Sequence, residues 1–200
     1  MKRLTTPLSL ILTLLLFSAT NAWSADFDRG VDAYEKGDYA TALREWEPLV
    51  EQGIAVAQYS LGVMYAEGKG VPQDYKTAHK WYSLAAEQGH VDAQYNLGFM
   101  YANGQGVTQD DKTAVKWFSL AAEQGFADAQ NNLGVMYALG NGVIQDNVYA
   151  HMWFNIAASL GDKDEAPKNR DEVEKYMTSV QIAKAQNVAI ECVRKNYKGC

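Results

Sequence analysis

Three histidines, two cysteines and a few recurrent carboxylates are the side chains that could ligate a metal, attack a substrate or move protons. His79 and His151 stand 72 residues apart and His90 has a different setting, so the sequence gathers no ligand set. It predicts exposed or partly packed histidines and no metal or cofactor site. Cys192 and Cys200 would lie about 12 Å apart along a straight helix, so a disulfide between them requires residues 196–199 to turn back. In an oxidising compartment that bond is the default, with free or intermolecular thiols as the alternative; nothing resembles the Cys-x-x-Cys of a redox catalyst. Glu87 and Glu123 could act as acid and base in an enzyme working on cell-wall material. They recur at corresponding places in a repeat whose third copy has Ser159, which is the pattern of solvated helix ends. The nucleophile motifs Ser-x-x-Lys and Gly-x-Ser-x-Gly are absent, as is Lys-Thr-Gly. Three Gly-x-Gly-Val loops are followed by Asp74, Asp110 and Asp146 where a phosphate cradle would want Lys, and no strand precedes them. No catalytic residue is predicted.

Charge and the first residues bear on location and partners. Eighteen basic against 24 acidic residues give a net charge of −6. Lys2 and Arg3 precede an apolar run from Leu8 to Phe17 and then the small residues of 18–22, the layout of a secretory signal at residues 1–22. Cleavage is expected after Ala22 and no later than Ala25. The run is shorter than the roughly 20 residues a membrane span needs. Removing Lys2 and Arg3 leaves 16 basic and 24 acidic residues, or −8. Such a chain repels phosphate backbones, so nucleic acid is not an expected partner. The mature protein is expected to be periplasmic or secreted, without a membrane span, and monomeric.

The elements that must position any site come from a 36-residue repeat. Residues 54–89, 90–125 and 126–161 align without gaps, the first two sharing about 25 of 36 positions and the second and third about 20. Within a copy, Ala93, Leu97, Met100 and Tyr101 recur at helical spacing, as do Ala114, Trp117, Phe118, Ala121 and Ala122, which predicts two helices per repeat. Thirteen of the 16 glycines, from Gly53 to Gly161, fall on four sites of this frame. Gly104 and Gly106 end the first helix, Asp110 caps the second and Gly125 stops it. Gly98 lies inside a helix, where it serves close approach to the paired helix at the small Ala114. The tryptophans Trp81, Trp117 and Trp153, with Tyr82, Phe118 and Phe154, read as core. Residues 26–53 form a shorter pair of the tetratricopeptide kind, marked by Gly30, Ala33, Gly37-Asp38-Tyr39, Ala42-Leu43 and Trp46. Residues 162–200 form a helical cap, in which Thr178-x-x-Gln181 reads as a capping box.

The motifs Leu97-Gly98-Phe99-Met100-Tyr101, Gly104-Gln105-Gly106-Val107, Ala114-Val115-Lys116-Trp117-Phe118 and Ala121-Ala122-Glu123-Gln124-Gly125, in three copies, resemble the Sel-one-like repeat family, a relative of the tetratricopeptide repeats. That resemblance implies an all-α, right-handed α/α solenoid that binds other proteins. Some cysteine-rich relatives have been described as penicillin-binding or β-lactamase-like, with a disulfide in each repeat; this chain has neither those staples nor the serine motif.

By analogy with tetratricopeptide grooves, the first helix of each pair lines the concave face. The inward residues are then Tyr59, Val63 and Glu67, next Tyr95, Phe99 and Asn103, next Asn131, Val135 and Leu139, with Phe27, Val31 and Tyr34 extending the row. They vary from copy to copy where the core frame does not. An extended peptide or helix of an envelope protein is the expected ligand, and packing against neighbouring helices is the alternative.

Overall fold

Each second helix of a pair starts on an aspartate. Asp38 accepts from the Thr41 amide at 3.1 Å, Asp74 from Lys76 at 3.0 Å, Asp110 from Lys112 and Thr113 at 3.0 and 3.2 Å, and Asp146 from Val148 and Tyr149 at 2.8 and 3.2 Å. The Thr113 hydroxyl and these amides hold the Asp110 carboxyl below the usual carboxylate range. Each carboxylate satisfies amides that no helical carbonyl can reach.

A computed structural model describes residues 26–200, and the described residues are all-helical without strands. The signal segment predicted at residues 1–22 lies outside them. Helix α1 (26–35) pairs with α2 (Tyr39–Glu51), α3 (Ala55–Glu67) with α4 (Tyr75–Glu87), α5 (Val91–Asn103) with α6 (Asp111–Ala122), and α7 (Ala127–Leu139) with α8 (Asn147–Leu160). Each pair stacks on the next through the contact of its second helix with the following first helix. Buried Ala, Leu and Met at the frame positions Ala57, Leu61 and Met64, repeated as Ala93, Leu97, Met100 and Ala129, Leu133, Met136, form the core. A single repeat cannot bury this face alone, so stacking stabilises all of them together.

Two glycine sites explain how closely the pieces approach. A Cβ on Gly98 would meet the Phe118 ring at 2.6 Å. Gly98 thus serves the close approach expected of it, and the atoms nearest to it across the helix pair belong to the Phe118 ring. Gly106 has φ +71° and sits where a Cβ would come within 2.5 Å of the Tyr75 backbone, so the loop of one repeat rests directly on the helix start of the one before.

The aromatic frame divides in a way the sequence did not show. Tyr82, Phe118 and Phe154 are buried, whereas Trp81 and Trp117 are half-buried with Lys80 and Lys116 over their rings at 5.1 and 5.8 Å. Trp153 alone of the three tryptophans is fully covered.

The covering comes from the C-terminal segment, α9 (Glu165–Glu174) and α10 (Ser179–Arg194). Helix α9 stacks on α8 as the first helix of another repeat would, and α10 packs back on α8 instead of pairing with α9. Thr178 opens α10 with the predicted capping box: its hydroxyl accepts from the Gln181 amide, and the Gln181 side chain accepts from the Thr178 amide at 2.8 Å. Cys192 and Cys200 are joined, with Cα atoms 5.6 Å apart. The turn back uses left-handed backbone at Asn196, Tyr197 and Gly199.

Candidate interaction groove

The inward row is built on the first helices, and its members meet different surroundings. Tyr34 donates to Glu67 at 2.9 Å and accepts from Lys69 at 3.2 Å, while Lys69 pairs with Glu67 at 2.6 Å. The Lys69 ammonium holds the Glu67 carboxyl below its ordinary range, so it is ionised at neutral pH. Tyr59 stacks on His90 with ring centroids 4.5 Å apart and tilts against Tyr82 at 5.7 Å. Burial pushes the hydroxyls of Tyr59 and Tyr82 above the usual tyrosine value, so both stay neutral donors. Tyr59, Val63, Glu67 and Phe99 line one cleft of about 300 Å³, completed by Tyr75, Tyr82 and Asn96. Phe99 is 43% exposed there.

Tyr95 belongs to another setting. Its ring lies 5.8 Å from Phe118 and 5.1 Å from Phe126, and Asn132 approaches its hydroxyl at 3.5 Å. Tyr95 and Asn131 line a polar cleft of about 570 Å³ with Asp128 and Asn132.

In the third repeat the cap helix comes over the row. Asn169 of α9 donates to Asn131 at 3.0 Å, and Val135 packs with Val173. Val135 and Leu139 still line a cleft of about 400 Å³, now shared with Phe154, Glu172, Val173 and Tyr176. The row thus divides into separate clefts, and in the last of them α9 takes the place of the next first helix. Phe27 and Val31 pack on the α1–α3 core, and Asn103 turns its amide onto the Phe99 carbonyl at 2.9 Å.

Among the described residues no three His, Cys, Asp or Glu side chains come together as a group that could hold a metal ion. His79 meets the Tyr101 hydroxyl at 3.1 Å, and burial pushes its pKa below the usual value. His151 overturns the expectation of an exposed or partly packed ring, since it is wholly buried. Its Nε2 meets Glu174 at 2.7 Å and its Nδ1 meets the Asn155 amide at 3.0 Å. The two contacts are equivalents: Glu174 of the cap stands against His151 as Tyr101 stands against His79. Sequence reading missed this because α9 carries one extra residue relative to the frame. Glu87 is exposed at the end of α4, while Glu123 accepts from the Gly199 amide at 3.2 Å and pairs with Lys198 at 3.7 Å, holding the disulfide-closed tail.

Stacked helix pairs define an α/α repeat protein. The profile described as "Sel1 repeat" matches residues 55–90, 91–126 and 127–162, and this chain belongs to the Sel1 repeat family. Proteins built from these repeats are protein-interaction scaffolds and are generally non-enzymatic. A Sel1 repeat protein from Oxalobacter formigenes is 30% identical with a TM-score of 0.69, over 84% of this chain and 68% of that one. The protective antigen c5321 of uropathogenic Escherichia coli strains, described as displaying an SLR fold, is 28% identical with a TM-score of 0.54, over 92% of this chain and 49% of its own. Cysteine rich protein B of Helicobacter pylori, at 23% identity and a TM-score of 0.52 over 66% of this chain and 94% of its own, shares the fold. No curated protein matches the chain.

Proposed function

We infer that this chain is an exported, non-catalytic scaffold of the cell envelope that binds a protein or peptide along the row of first helices. The observation that carries this reading is the cleft at Tyr59, Val63 and Phe99: the shared frame fills the core, while residues that differ between copies leave an aromatic-walled opening. Phe99 in particular is a large apolar side chain left substantially exposed. A few such anchors supply most of the affinity of a protein contact. Export is supported by the signal-like residues 1–22 and by the Cys192–Cys200 disulfide, a bond that persists in oxidising compartments. Among the described residues no helix is long and apolar enough to cross a membrane.

The test is a photo-crosslinking amino acid placed at Phe99 in cells, with a second at the outward Lys116 as control. A discrete adduct from position 99 that is absent from position 116 supports the reading, and equal labelling from both defeats it. Fractionation checks the location: the mature chain should begin between residues 23 and 26 and leave with the periplasmic or secreted fraction. A chain that keeps residue 1 refutes export by this route.

A further inference from the structure

The cleft beside Tyr59 and the cleft beside Val135 occupy the same place in the frame. Val63, Glu67, Tyr75 and Tyr82 line the first, and Val135, Leu139, Asn147 and Phe154, each 72 residues later, line the second. Asn96 of α5 closes one and Asn169 of α9 closes the other. The row of first helices therefore carries two equivalent pockets two repeats apart, and their chemistry differs. Four rings, Tyr59, Tyr75, Tyr82 and Phe99, surround the first, with ionised Glu67 at its edge and no cationic side chain in its lining. The second is walled by Val135, Leu139, Phe154, Val173 and Tyr176, with Glu172 as its charged member. Leu139 is 63% and Tyr176 73% exposed, apolar surface that a repeat ending in solvent has no reason to keep.

We propose that this groove binds one extended peptide through two unlike side chains, a lysine or arginine in the aromatic pocket and an aliphatic side chain in the Val135–Leu139 pocket. The inference rests on the groove reading above and names its ligand class. A cation gains from aromatic faces. Lys69 already pairs with the Glu67 carboxylate and with Tyr34, so the attraction for a ligand cation comes from the four ring faces. The mature charge of −8 favours a basic partner at long range as well. Clefts of about 300 and 400 Å³ hold a side chain each and not the face of a folded domain. If successive repeats stack at roughly 10 Å, two repeats span about 20 Å. Extended chain covers that in about six residues at ~3.3 Å each.

The probe is a set of fluorescent peptides with one lysine and one leucine separated by three to nine Gly/Ser residues, titrated by anisotropy into the mature chain and mapped by amide chemical shifts. Binding should be at least tenfold tighter than for peptides with either anchor replaced by serine, with an optimum near five to seven intervening residues. Phe99→Ala should erase the preference for lysine alone, and Leu139→Ser the preference for leucine alone; both side chains are exposed enough for the fold to survive, which circular dichroism checks. Peptides that shift groove amides without any anchor preference overturn the two-pocket proposal and leave the groove reading standing. Peptides that shift no groove amide, together with an empty crosslink at position 99, overturn both.

Discussion

The Gln124 side-chain amide donates to Gln94 Oε1 at 2.8 Å and to the Gly89 carbonyl at 3.0 Å, tying the end of one second helix to the start of the paired first helix. Gln88 does the same to Gln58 and Gly53, at 2.8 and 3.0 Å. The third repeat breaks the series, because Leu160 stands where Gln88 and Gln124 do. Gln130 keeps its own bond to the Ala122 carbonyl at 3.1 Å, and its Oε1 is buried without a partner. A buried acceptor left unsatisfied costs about 1–3 kcal/mol. Leu160→Gln should restore the pair and stabilise the chain by about 1 kcal/mol, read as an upward shift of thermal midpoint. Gln124→Leu should orphan Gln94 and destabilise by a similar amount. A Leu160→Gln chain no more stable than the parent would mean that the Gln130 oxygen does not carry this cost.

Gly98→Ala should destabilise through crowding. The added methyl meets Phe118 atoms at 2.6 Å, and that ring is itself held by Tyr95 and by the buried core. Overpacking of this kind costs about 1–3 kcal/mol, against the roughly 1 kcal/mol that Ala gains over Gly in an open helix. Urea melts should show a lower midpoint, and Gly98→Ala combined with Phe118→Leu should recover part of the loss. A single substitution that raises the midpoint would show that the ring moves freely.

His90 links stability to pH. Its Nδ1 accepts from the Ala93 amide at 3.4 Å as the cap of α5, which requires that nitrogen unprotonated, and the ring stacks on Tyr59. Burial pushes its pKa below the usual histidine value, with Asp92 opposing more weakly. The unfolded chain then takes up the proton first, at about pH 6.5. The contribution is complete above that pH and is lost as pH falls through the lowered folded pKa. His79 acts in the same sense, since burial lowers its pKa too. Thermal midpoints should hold level above pH 7 and decline below about 6.5, with the Ala93 amide resonance shifting in step. His90→Asn supplies a cap that does not titrate and should make the decline shallower; an unchanged slope would remove His90 from the account.

Much of this architecture is legible in the sequence because repetition supplies its own control. Positions fixed in every copy, such as Leu61, Leu97 and Leu133, are core, and the left-handed glycines mark the helix ends of the repeats. What escaped was the meaning of the places where the third copy departs. Lys76 and Lys112 become Val148, and Lys80 and Lys116 become Met152, so the solvent face of α4 and α6 turns apolar on α8. That change is the signature of a covering helix, and α10 lies there with Ala185, Ala189 and Cys192 buried. The inward row was harder to read. Whether Asn131 and Val135 face open groove depends on α9, whose alignment to the frame slips by one residue and whose composition is polar.

The covering contact gives the sharpest single test. Met152 is fully buried under the cap, where its equivalents Lys80 and Lys116 reach solvent and lie over tryptophan rings. Met152→Lys restores the residue of the other copies and places an ammonium beneath α10 without a partner. An uncompensated buried charge costs about 3–5 kcal/mol, more than a cap of one helix is expected to withstand. The amides of residues 185–192 should lose protection from hydrogen exchange while those of α3 and α4 keep theirs, because each repeat contacts only its neighbours and these lie far from the cap. Lys116→Met, an exchange in the opposite direction on an exposed face, should change stability by less than about 0.5 kcal/mol. Retained protection at 185–192 in Met152→Lys would show that α10 is held by the disulfide-closed tail on Glu123 and not by its contact with α8.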